Sequence, residues 1–156
     1  MPEKQTLERA RRDEREGKAP STQAGEFVRE EIEHIREGKH GARSAKQAIA
    51  IGLSKARRAG VKLPAPKAGK ASARTRKQAK RDMQHGHSAN SAAHSSTRSR
   101  ATSRALKKEG RSAASHRALA KQAKNAARKR SHAARSQQAK RAARTRRANQ
   151  ASKGSK

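Results

Sequence analysis

The 156-residue chain carries 42 Lys and Arg against 12 Asp and Glu, a formal charge of +30, with only twelve Leu, Ile, Val and Phe, one aromatic residue (Phe27) and no Cys. Disulfides and thiolate chemistry are excluded, as is a core large enough to order the whole chain: ordering costs roughly 1–2 kcal/mol per residue, and chains this poor in large aliphatics and this highly charged are typically disordered. No apolar run approaches the ~18 residues of a membrane span, and Met1-Pro2-Glu3-Lys4-Gln5 lacks the apolar region of a signal peptide, so a cytoplasmic location is expected.

Charge is segregated along the chain. Residues 1–39 hold nine basic and ten acidic residues; beyond Lys39 there are 33 Lys and Arg and two acids, Asp82 and Glu109. Residues 1–20 read as a marginal charged helix. Glu8 precedes Arg12 by four, only Leu7 and Ala10 are available for burial, and Gly17 and Pro20 end it.

Residues 21–60 read as a helical hairpin. Ser21 or Thr22 is the expected cap, and Ala24, Phe27, Val28, Ile32 and Ile35 follow at helical spacing. Glu26, Glu30, Glu33 and Glu37 fall on the opposite, solvated face, from which they would compete with a polyanion only by folding back onto the basic tail. Glu31 falls between Phe27 and Ile35 and is expected to pair with a base from the second helix. Gly38 is the expected stop. Ser44-Ala45-Lys46-Gln47 fits a capping box. Ala45, Ala48, Ile49, Gly52, Leu53, Ala56 and Ala59 then share a face on which Gly52 and the alanines allow close approach, and Gly60 ends the helix. The expected core is Phe27, Val28, Ile32, Ile35, Ile49 and Leu53. It is small for a lone hairpin, which suggests a homodimeric four-helix bundle.

Residues 61–100 read as a disordered linker, opened by the proline-extended Val61–Lys67. Residues 101–156 hold 16 Ala and 18 Lys or Arg with one acid. A 16-residue unit occurs in tandem there, SHRALAKQAKNAARKR at 115–130 and SHAARSQQAKRAARTR at 131–146, identical at ten positions. Ala, Lys, Arg and Gln favour helix while like charges at i,i+4 oppose it, so a coil with partial helix is expected. The fold class is all-α: a short hairpin plus a long basic tail, disordered or partly helical.

The run Lys46–Gly60, KQAIAIGLSKARRAG, within Glu37–Gly60, resembles a motif of a family of small basic bacterial proteins of unknown function, some of them labelled plasmid stabilisation protein. The resemblance covers about a quarter of the chain and implies at most an association with DNA. The tail is similar in composition to the Ala/Lys-rich tails of linker histones and histone-like bacterial proteins.

The candidate phosphate contacts are Lys107, Lys108, Arg111, Arg117, Lys121, Lys124, Arg128, Lys129, Arg130, Arg135, Lys140, Arg141, Arg144, Arg146 and Arg147 of the tail, with Lys46, Lys55, Arg57 and Arg58 of the hairpin. Such cations neutralise phosphates with little regard to sequence. There is no aromatic interleaving for single strands. A helix-turn-helix reading needs a 3–4-residue turn, shorter than the five or six residues expected here. His85-Gly86-His87 with His94 lies in a Ser/Ala/Gly-rich stretch with no fold to hold a metal, so no metal or cofactor is expected. The serines near His116 and His132 lack the apolar scaffold and placed carboxylate of a triad, and no enzymatic activity is expected. These observations point to non-sequence-specific binding and bridging of DNA, with an RNA- or ribosome-associated protein and a protein-binding adaptor acting through the hairpin as the alternatives.

Overall fold

The computed structural model describes residues 2–87 and 96–154. Every regular element among them is helical: α1 (Lys4–Arg15), α2 (Pro20–Arg36), α3 (Ala45–Arg58), α4 (Ala73–His87), α5 (Ser96–Lys107), a 3-10 turn (Ser112–Ala114), α6 (His116–Arg128) and α7 (His132–Gly154). None of these helices is long and apolar enough to cross a membrane. The chain divides into two units, residues 1–118 and 119–156.

The first unit is built on the α2–α3 pair, against which α1, α4 and the 3-10 turn pack. Pro20 takes the first position of α2, with Ala19 rather than Ser21 or Thr22 as its N-cap; the missing proline N–H costs nothing there. Gly38 (φ 80°) and Gly60 (φ 93°) end α2 and α3 in left-handed turns that disfavour a Cβ. Around Gly38 the Gly38 N–H donates to Ile35 O and the Lys39 N–H to His34 O; around Gly60 the Gly60 and Val61 N–H groups donate to Arg57 O and Ala56 O. The eight residues 37–44 connect the two helices, more than the five or six expected. At the start of α3 the Gln47 N–H donates to Ser44 Oγ (3.2 Å), while Gln47 Oε1 accepts from the Arg43 N–H (2.8 Å), one residue before the position a capping box would use.

Small residues make the α2–α3 contact. Ala24, Phe27, Ile35, Ala48 and Ala56 are fully buried, whereas Val28, Ile32, Ile49 and Leu53 of the expected core are half-buried. A Cβ on Gly52 would stand 2.6 Å from Val28 Cα and 2.9 Å from Val28 N, so the two backbones touch at this glycine. The core has two centres. Ala10, Ala24, Phe27, Ala56 and Val61 form one, flanked by Leu7, Leu53 and Leu63. Ile35, Ala42, Ala48, Ala113 and Ala114 form the other, flanked by Ile32.

Segments outside the hairpin therefore complete its core. Helix α1 buries Thr6, Ala10 and Asp13, and its Arg9 pairs with Glu26 at 2.7 Å. The start of the expected linker is a strap whose Val61 and Leu63 lie on the first centre. The stretch from 68 onward, expected to be disordered, holds α4 and α5. Helix α4 is held to α3 by Asp82, buried, which accepts from Ser54 Oγ (2.7 Å), Arg58 Nε (2.8 Å) and Gln78 Nε2 (3.0 Å). After α5 the chain returns to the hairpin turn: the Gly41 N–H donates to Leu106 O and the Ala42 N–H to Gly110 O, and Arg36 Nε donates to Ala114 O (3.0 Å). A hairpin so covered no longer needs a second copy to complete its core.

The carboxylates of α2 are matched locally. Glu33 pairs with Arg29, Glu37 with Lys39 and Glu30 with Lys55. Glu30 is not on a solvated face as expected: α1 covers it to 2% exposure, and the Glu3 N–H donates to its Oε2 (3.1 Å). Glu31 is fully buried and meets a base of the second helix, Lys55 Nζ, at 2.7 Å from its Oε2.

In the second unit the tail is helical rather than disordered. Ala, Arg, Lys and Gln propensity and a serine cap on each helix outweigh the like-charge repulsion. Ser115 Oγ and Ser131 Oγ each accept, at 3.2 Å, from the N–H three residues on, at Ala118 and Ala134. Each copy of the tandem repeat is thus a cap serine followed by a helix.

Gly52→Ala would force the α2 and α3 backbones apart. A loss of about 1–3 kcal/mol is expected, read as a lowered urea midpoint with the slope unchanged.

Candidate nucleic-acid interface

The hairpin cations separate into Lys46 and three that are engaged with partners, of which Arg58 stays exposed. Lys46 is exposed. Lys55 is engaged with Glu30 and Glu31. Arg58 is committed through Nε to Asp82. Arg57 is 7% exposed and spans three carbonyls, with Nε donating to Leu63 O (3.2 Å), Nη1 to Leu53 O (3.4 Å) and Nη2 to Pro64 O (3.3 Å). Burial pushes its guanidinium below the ordinary arginine range, opposed only by the charge of Asp82. Arg57 clamps the strap onto α3, so of Lys46, Lys55, Arg57 and Arg58 only Lys46 and the outer part of Arg58 face solvent.

The tail cations are placed differently. In the first unit, Lys107 ends α5, Lys108 and Arg111 lie in the connection to the 3-10 turn, and Arg117 is in the first turn of α6; all four are exposed. Lys107 and Arg111 share a shallow depression with Glu37 and Glu109, which offsets their charge. In the second unit, Lys121, Lys124, Arg128, Lys129, Arg130, Arg135, Lys140, Arg141, Arg144, Arg146 and Arg147 are all exposed. Residues 119–156 contain no acid. Arg130 donates to the Gln138 side chain.

The two tail helices present charge in different ways. On α6, Lys121, Lys124 and Arg128 recur at steps of three and four and form one stripe, with Leu119, Gln122 and Ala126 half-buried on another face. On α7, Arg135, Lys140, Arg141, Arg144, Arg146 and Arg147 are distributed around the whole circumference, at 100° per residue. A helix of 23 residues is about 35 Å long, and duplex DNA carries one charge per ~1.7 Å.

A further cationic cluster lies on α4, where Arg76, Lys77 and Lys80 line a groove with Ala65, Pro66 and Ala73. Arg76 Nε is shielded from solvent without a hydrogen-bond acceptor. Within α4, Lys77-Gln78-Ala79-Lys80 repeats the Lys121-Gln122-Ala123-Lys124 of the first tandem unit. Of the histidines weighed as ligands, His85 lies on α4, and His94 lies outside the described residues.

The model of a family of unknown function (DUF6496) matches residues 21–68, which span α2, α3 and the strap. No curated protein and no solved structure matches the chain. The similarity thus covers the scaffold, where Lys55, Arg57 and Arg58 hold the fold, and stops short of the tail.

Arg57→Ala would leave the Leu63 and Pro64 carbonyls of the strap without their side-chain donor and release the strap from α3. A loss of about 2–3 kcal/mol of stability is expected, with nucleic-acid affinity and its salt dependence unchanged when measured below the melting range.

Proposed function

We propose that the protein binds DNA without sequence specificity and bridges or compacts it, acting as a nucleoid-associated, histone-like molecule at the bacterial chromosome or a plasmid. The supporting observation is the run of exposed cations on α6 and α7 in a unit with no carboxylate to neutralise them. Helices 2 and 3 form the scaffold, and the α6 and α7 cations contact phosphate. The one-sided stripe of α6 suits a helix lying along a single phosphate backbone. The all-round charge of α7 suits a helix in the major groove, about 12 Å wide and flanked by phosphates on both walls. Neither helix carries the aromatic residues that would stack single-stranded bases. The plasmid-stabilisation label of some proteins carrying a similar hairpin motif accords with this reading. A homodimer would join two tails on one scaffold and raise avidity through effective concentration.

Ten phosphate contacts give a slope of log K against log salt of about −9. A slope shallower than about −3, or no uptake of duplex DNA in dilute buffer, would overturn the reading. Competition between duplex DNA and ribosomal RNA at matched salt decides the nucleic acid; preference for the RNA would move the function to the ribosome.

Replacing Lys121, Lys124 and Arg128 together by Gln removes the α6 stripe and leaves the scaffold intact. The salt slope is expected to become shallower by about 2 to 3, equally for unrelated DNA sequences, as read by fluorescence anisotropy. A loss confined to one sequence would contradict phosphate-only contact.

A further inference from the structure

Among the described residues, one set of three metal-ligating side chains offers its donor atoms within 4.8 Å of one another: Glu31, His34 and His40. We propose that these residues form a binding site for a borderline divalent cation of the zinc class, at the C-terminal end of α2.

The backbone assembles the set. Glu31 and His34 are one turn apart on α2 and therefore share a face. The left-handed turn at Gly38 reverses the chain, and His40 comes back over that face, its ring 6.2 Å from the ring of His34.

The hydrogen bonding prepares the donors. His40 Nδ1 lies 3.1 Å from Gly41 O. A carbonyl only accepts, so Nδ1–H donates to it and Nε2 is the ring atom left to face Glu31. That Nε2 is 3.2 Å from Glu31 Oε1, close to the ~3.3 Å separating two ligand atoms around tetrahedral zinc at bond lengths of 2.0–2.2 Å. Two acceptor atoms at this distance require a cation between them, a proton or a metal ion. Glu31 is fully buried, and neither of its oxygens receives a hydrogen bond of acceptable geometry. Lys55 Nζ, 2.7 Å from Oε2, faces the other oxygen. A buried carboxylate left this way is costly, and a metal on Oε1 would satisfy it.

The surroundings suit the ion. Glu3 Oε1 lies 2.8 Å from His34 Nε2, the carboxylate–imidazole arrangement that orients metal-binding histidines. Glu3, Glu30 and Glu31 offset the charge of the ion together with Lys39 and Lys55. Two imidazoles and a carboxylate match zinc rather than calcium or magnesium, which prefer oxygen. A fourth position remains for water.

The test uses the full chain, freed of nucleic acid by nuclease and high salt and of metal by chelation, titrated calorimetrically with Zn²⁺ alone. One equivalent is expected, with X-ray absorption showing nitrogen and oxygen donors that include two imidazoles. A variant with His85, His87, His94, His116 and His132 all changed to Gln should bind equally well. His40→Gln, His34→Gln and Glu31→Gln should each weaken binding by at least about tenfold, with helical circular dichroism of the two histidine variants retained. Unchanged affinity in both His34→Gln and His40→Gln, or loss in the five-histidine variant, would overturn the site. So would absence of binding to the wild-type chain. Nucleic acid takes no part in the measurement, so this result is separate from that for phosphate binding.

Discussion

The contact between the backbones of α2 and α3 at Gly52 and Val28 is the constraint on which the first unit depends. With twelve large aliphatic and aromatic side chains in 156 residues, the chain cannot fill a wide gap between helices. It closes the gap instead. Alanines at 24, 48 and 56 and the glycine at 52 bring the helices to touching distance, and dispersion contacts between closely spaced main chains replace those of larger side chains. Helices that meet this closely leave their larger residues at the margins, which is why Val28, Ile32, Ile49 and Leu53 are half-buried. The margins are then covered by α1, the strap and the Ala113-Ala114 return.

Polar anchoring substitutes for apolar burial elsewhere. Asp82 holds α4 through two donors of α3, Arg57 holds the strap through two of its carbonyls, and the Glu30–Glu31–Lys55 group ties α2 to α3. Buried ionic groups contribute little net stability compared with apolar packing, but removing one partner is severe. The scaffold therefore uses its few acids internally, while the second unit has none. The first unit still carries 29 Lys and Arg against its 12 acids, so both units present cations to be answered from outside, the second with no acid at all.

What the sequence made readable was local. Gly38 and Gly60 mark helix ends because a left-handed residue is needed there, Ser44 marks a cap, and the spacing of alanines marks the close face of α3. The position of Glu31 inside an apolar stripe announced its pairing. Tertiary assignments were not readable in the same way. Arg57 and Arg58 look like surface cations in any composition-based reading, since nothing local reveals that carbonyls of a strap or a distant aspartate receive them. Docking of residues 106–114 proceeds through backbone hydrogen bonds and two alanines, which carry no periodic signal within an Ala-rich stretch. His34 and His40 are six residues apart with a turn between them, so their approach to Glu31 depends on a reversal that spacing alone does not encode. In the tail the serine caps at the head of each repeat are local signals too, and with helix propensity they outweigh the charge repulsion that favours coil.

The serine at the head of each tandem unit has a consequence for how such a chain can change. Because every copy brings its own start signal and its own charge, six cations in the first and five in the second, an in-frame duplication or loss of one copy would extend or shorten the arm by a self-contained module. Reach and grip would then change in discrete increments, leaving the body that carries the arm untouched.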